Sequence, residues 1–262
     1  MSACRLCDQE LIVELDPDSF DEATSSSVGV SQSAPDDLTL GCRCRFHWQC
    51  LLDESPSMAI KLECPSCHTS IVTTGPGPSA TNRISPTGTQ QPQVLTRYHN
   101  EGGIQEDLDI LPLITEEAYL DVNPAARPAR AFLVMCGEGD VAGIVELLKA
   151  IEEDRDEDDM PPADILRYQD PLNGNMTGLH LAIEKHQQEV LWLLLWLASK
   201  AQTHIFPEEV VQATQSLEAE RATDAGVDIR VFRDEQERTA EDIAISMGNT
   251  WAGLLAAGIL RG

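Results

Sequence analysis

The stretch Gly41-Cys42-Arg43-Cys44-Arg45-Phe46-His47-Trp48-Gln49-Cys50 decides how the front of this chain is read. It spaces its ligand-type residues as Cys-x-Cys-x2-His-x2-Cys. Working outward, Cys4-x2-Cys7 precedes it and Cys64-x2-Cys67 follows it. Seven of the chain's eight cysteines fall in this set. A two-residue spacer lets both thiolates of a pair reach one tetrahedral ion, and soft sulfur with borderline nitrogen suits Zn²⁺. Cys4, Cys7, Cys42, Cys44, His47, Cys50, Cys64 and Cys67 therefore predict two zinc ions with four protein ligands each. Such sites keep no open coordination position, so the metals are expected to be structural and to catalyse no hydrolysis. A module this small buries little apolar surface, and metal binding would supply much of its folding energy.

Composition narrows the rest. A length of 262 residues allows roughly one to three domains. The chain is 42% hydrophobic but only 5% aromatic, which predicts a core of Leu, Ile, Val and Ala. A formal charge of -26 disfavours nucleic acid, whose phosphates would be repelled, and suits basic protein partners. The most apolar run, residues 190–198, is too short to span a bilayer. The opening MSACRLCDQELIVEL carries no apolar signal-peptide core. Paired x2 spacings with an interposed histidine favour zinc in a reducing compartment over disulfides. The expected location is cytoplasmic, or else nuclear, although no basic targeting cluster is present.

The ligand series resembles a RING finger, the cross-braced zinc domain of many E3 ubiquitin ligases. The resemblance covers residues 4–67, with GCRCRFHWQCLLDE as the core and ECPSC as the terminal Cys-Pro-x-Cys knuckle. It implies that Cys4, Cys7, His47 and Cys50 share one zinc and that Cys42, Cys44, Cys64 and Cys67 share the other. It also implies a buried Phe46, a helix from about His47 or Trp48, and Leu51 and Leu52 on that helix's inner face. A ubiquitin-conjugating E2 enzyme would be gripped by Leu6 and Pro65. Some positions depart from the family. Cys44 stands where the commonest pattern has His. Lys61 falls near a position often held by Trp, and His68 where active members often carry Arg. The separation of Cys7 from Cys42 is long, and its polar, acidic residues 16–38 read as a disordered insert.

Residues 73–104 read as a flexible linker rich in Pro, Gly, Ser and Thr. EDLDILPLITEEAYL then leads into the last domain, with a short helix expected from Thr115. DPLNGNMTGLHLAIEKHQQEVLWLLLWLA resembles an ankyrin repeat through Thr177, Leu179, His180 and Ala182, with Gly178 in place of the usual Pro. Weaker units precede and follow it, with inter-helix turns at Gly139, His186 and Gly248. Inserts separate them, including the acidic 152–164 and a longer 199–236 with a helix expected over 208–222. Trp192 and Trp196 sit at i,i+4, a stripe better explained by packing than by a partner face. Cys136 reads as a buried free thiol.

The fold expected is thus a small binuclear zinc RING-like domain, residues 1–72, followed by an all-α ankyrin-like repeat domain with insertions, residues 105–262. The function implied is that of an E3 ubiquitin-protein ligase that recruits a loaded E2 and holds a protein client. A noncatalytic zinc-binding scaffold is the alternative. No catalytic residue is expected, nor any Gly-x-Ser-x-Gly, His-Glu-x-x-His or phosphate-loop motif.

Overall fold

The computed structural model describes residues 3–14, 33–73, 92–154, 159–219, 221 and 226–262. It forms two compact units, residues 1–122 and 123–262.

The first unit contains short strands and short helices. Strand β1 (Ile12–Glu14) pairs antiparallel with β2 (Ser33–Pro35). A four-stranded sheet has the order β4-β3-β5-β6, built from β3 (Asp37–Leu40), β4 (Arg45–Phe46), β5 (Leu95–Asn100) and β6 (Gly103–Asp109). Leu38 lies opposite both Phe46 on β4 and Tyr98 on β5. Leu38 and Leu40 are buried, as alternation on a half-buried strand requires. Helices α1 (Trp48–Leu52) and α2 (Ser55–Lys61) follow β4, and α3 (Leu111–Val122) packs on α2. Phe46, Leu51, Met58, Val94, Ile110 and Ile114 share one core with Cys4 and Cys64.

Three expectations need correction here. The insert read as residues 16–38 overlaps β2 and the start of β3; residues 15–32 lie outside the described part. Its two acidic residues at the boundary are structural. Asp37 pairs with Arg45, while Asp36 accepts from Trp48 N at 3.1 Å and from the Tyr98 hydroxyl at 3.0 Å. The segment read as a linker does not run on to residue 104. Thr73 and Gln93 form a two-way backbone pair, at 2.9 and 3.1 Å, across residues 74–91, which lie outside the described part. β5 and β6 then complete the sheet. The helix expected from Thr115 starts at Leu111, whose N–H is capped by Asp109 Oδ1 at 3.1 Å. With Ile114 in the core, this helix belongs to the first unit.

The second unit is helical. Its helices are α4 (Arg127–Glu138), α5 (Val141–Asp154), α6 (Pro162–Ile165), α7 (Gly178–Glu184), α8 (Gln188–Ala198), α9 (Glu208–Ser216), α10 (Ala240–Ser246) and α11 (Ala252–Ala256). α4 packs on α7 and α7 on α10, while α5 packs on α8. Gly139, His186 and Gly248 do occupy the turns after α4, α7 and α10, each with positive φ (89°, 61° and 73°). α7 and α10 begin with reciprocal caps: Thr177 with His180, and Thr239 with Asp242. Such caps satisfy first-turn N–H groups that have no helical partner. α8 is buried nearly all round, including Val190, Leu191, Leu194 and Leu195. α9 ends at Ser216, short of the expected residue 222. In the acidic insert, residues 155–158 lie outside the described part.

The tryptophan stripe is a packing device. Phe206 meets the Trp192 and Trp196 rings edge-on, with centroids 6.0 and 5.4 Å away. Trp196 Nε1 donates to Ala219 O at 3.0 Å, and the Arg221 guanidinium lies 5.0 Å from the Trp196 ring centroid. Cys136 is fully buried, and burial pushes its thiol pKa up.

Candidate metal centres

Two knuckles of nearly the same backbone carry the outer cysteine pairs. Around the first, Asp8 N donates to Cys4 O at 3.0 Å and Cys4 N to Gln9 O at 2.8 Å. Around the last, His68 N donates to Cys64 O and Cys64 N to Thr69 O, both at 2.9 Å. Asp8 and His68 follow the second cysteine of their pairs and take φ of 61° and 57°. Bridges Ala3–Glu10 and Glu63–Ser70 close the two turns. Between them, Cys42 and Cys44 flank Arg43 (φ 68°) in the tight turn from β3 to β4. His47 stands at the residue before α1, which carries Cys50 one turn later, and its side chain makes no capping bond to the helix.

These elements bring the eight residues together in two interleaved groups. Cys4, Cys7, His47 and Cys50 form one; Cys42, Cys44, Cys64 and Cys67 form the other. Within each group the ligand-type atoms lie within 4.8 Å of one another. A tetrahedron of ~2.3 Å metal–sulfur bonds has edges of about 3.8 Å, so each group fits a single ion. His68 belongs to neither group.

The histidine geometry selects one nitrogen. His47 Nδ1 is 3.3 Å from Cys7 Sγ and 3.7 Å from Cys50 Sγ. Nε2 is 2.7 Å from the Glu10 carbonyl oxygen. That carbonyl fixes the proton on Nε2, which donates to it, and leaves the Nδ1 lone pair facing the sulfurs. The Glu10 carbonyl is a supporting group that sequence reading missed, because a backbone oxygen leaves no mark on residue type.

The sulfur environments differ. Burial pushes the Cys4 thiol up, but N–H groups of Cys7, Leu6 and His47 outweigh it and bring the pKa down to about 7. Burial and the neighbouring Cys7 and Cys4 raise Cys50 to about 12. Burial also dominates at Cys64 and lifts it to about 12, against the amides of Cys67 and Ser66. Cys67 is exposed, and the side chain and backbone of Thr69 lower it to about 6. Crowded thiols resist joint ionisation unless a cation neutralises them. A divalent ion would supply that charge and displace the protons. The residues therefore fit two metal ions, and three or four sulfurs per group are consistent with zinc.

Leu6 and Pro65 lie inside the two knuckles, each half-buried, while Lys61 and His68 are exposed. In the second unit His180 is fully buried and tied into architecture. Its Nδ1 accepts from Thr177 N at 3.2 Å, and its Nε2 lies 3.2 Å from Arg238 O in the next hairpin. No helix of the described residues is long and apolar enough to cross a membrane. Comparison with protein-family models, curated proteins and solved structures finds no match.

Proposed function

We propose that the first unit is a RING-type zinc module and that the protein acts as an E3 ubiquitin-protein ligase. The observation that carries the reading is the interleaving of the ligand pairs: first with third, second with fourth along the chain. Two interleaved ions brace a small domain that a linear array of fingers would leave jointed. Both ions are read as zinc, held by four ligands each and closed to substrate.

On this reading the module binds a ubiquitin-loaded E2 through Leu6 and Pro65, which the two knuckles hold at the surface. The amine of a client lysine attacks the thioester carbonyl. An isopeptide bond forms, and the E2 thiol leaves. The protein contributes orientation and forms no ubiquitin thioester of its own. The second unit is read as ankyrin-like, with its row of helices α4, α7 and α10 offering a surface for the client. Three paired turns and the Thr177–His180 cap support that reading.

The test is lysine discharge from a panel of ubiquitin-loaded E2 enzymes by the zinc-loaded protein. Acceleration with at least one E2 is expected. Leu6→Ala should reduce it at least ~10-fold, the equivalent of about 1.4 kcal/mol, with zinc content unchanged. No acceleration across the panel would favour a noncatalytic scaffold, the reading that Lys61 and His68 support by departing from the family's activating residues.

A further inference from the structure

A groove lies along α8 and α9 in the second unit. Two adjoining hollows form it, about 470 and 350 Å³ in volume, which share Glu189, Trp192, Glu209 and Val210 as lining residues. The floor of the smaller hollow is apolar, while Gln187 and Gln188 add polar groups to the larger one. Trp192 and Leu193 come from α8, Val210 and Leu217 from α9 and the residue after it, and Val141 from the start of α5. Val141, Val210 and Leu217 are only half-buried, so the floor is open to solvent. Two carboxylates, Glu189 and Glu209, stand at the groove. Both are exposed, and among the described residues neither has an ion-pair partner.

α9 sits in a segment longer than a turn between helical hairpins needs. It packs on α8 and creates a wall that the hairpins alone would lack. An apolar trough flanked by unpaired carboxylates, on a chain of charge -26, has a definite complement. Apolar side chains fill the trough and leave water, while Lys or Arg beside them meet the two carboxylates. An acidic or neutral segment would leave Glu189 and Glu209 to be desolvated without compensation.

We propose that the α8–α9 groove docks a partner-protein segment in which one or two apolar residues are flanked by Lys or Arg. The inference stands apart from the ligase reading, since it concerns only binding to the second unit.

The experiment is selection of a random 12-residue peptide display library on the full-length, zinc-loaded protein. A parallel selection uses Glu189→Lys/Glu209→Lys, and a third uses Ala213→Trp, which fills the groove from α9. Circular dichroism melting establishes that both variants remain folded. The expected result is enrichment of peptides combining Lys or Arg with Leu, Ile, Met or Phe. Their affinity, read by fluorescence polarisation, should fall at least tenfold in each variant. No enrichment would overturn the proposal. So would enrichment of basic peptides that lack apolar residues, or binding that survives both variants, because attraction to the overall negative charge would then suffice.

Discussion

At Gly178 the chain has no room for a methyl group. A β-carbon there would lie 2.8 Å from Cys136 Sγ and 3.0 Å from the Phe132 ring, both fully buried. At this position α7 approaches α4 too closely for a larger residue. Gly178→Ala should lower stability by about 1–3 kcal/mol through overpacking, seen as a lower melting temperature. Cys136→Ala in the same chain should recover part of the loss by removing the sulfur. Unchanged melting of the single variant would contradict the packing. His180 makes a second residue-level prediction. Burial lowers its pKa below the ordinary histidine value. The unfolded chain therefore takes up a proton near pH 6.5 that the folded chain resists. The resulting stability is present above that pH and is lost as pH falls below it. Urea unfolding between pH 7.5 and 5.5 should show a steeper loss for the natural chain than for His180→Gln. Equal slopes would contradict this, because the imidazole would then take up its proton as readily in the fold as in the unfolded chain.

Among the elements, the β5–β6 hairpin separates what the sequence reveals from what it conceals. The ligand spacings announce the metal groups because each Cys-x2-Cys pair is a local signal. β5 and β6 carry no such signal. Their residues, LTRYHN and GIQEDLD, are mainly polar, and the partner that ties β5 into the sheet lies some 60 positions away on β3 (Leu38 opposite Tyr98), with β6 pairing on β5 alone. Buried Thr96 is satisfied by Leu108 O at 3.0 Å, and Tyr98 by Asp36, so polar residues do the work expected of apolar ones. Asp36 and Asp37 were legible only as acidic loop residues for the same reason: Arg45, Trp48 and Tyr98 give them their roles from a distance. The helical hairpins were legible at their turns, where Gly139 and Gly248 mark positive φ. The end of α9 was not, since no glycine or proline marks it. The hairpin is expected to support the metal groups through Leu38, Leu40 and Val94. A fragment ending at residue 73 should surrender zinc to a chelating dye faster than one ending at residue 122. Equal release rates would mean that residues 92–122 contribute nothing to the module.

At the scale of the whole molecule, one acidic chain joins a unit carrying two groups that fit metal ions to a helical unit. Net charge and apolar content bound the partner class, but the arrangement of donors in space carries the functional reading. Both the ligase proposal and its scaffold alternative require that residues far apart in sequence share an ion. The direct measurement is ¹¹³Cd–¹H correlation NMR on the full chain with cadmium in place of zinc. Two cadmium resonances are predicted. One should correlate with the β-protons of Cys4, Cys7 and Cys50 and with the His47 ring, the other with Cys42, Cys44, Cys64 and Cys67. Correlations joining Cys4 and Cys7 to Cys42 and Cys44, or a single bound ion, would contradict the interleaved pairing on which the account stands.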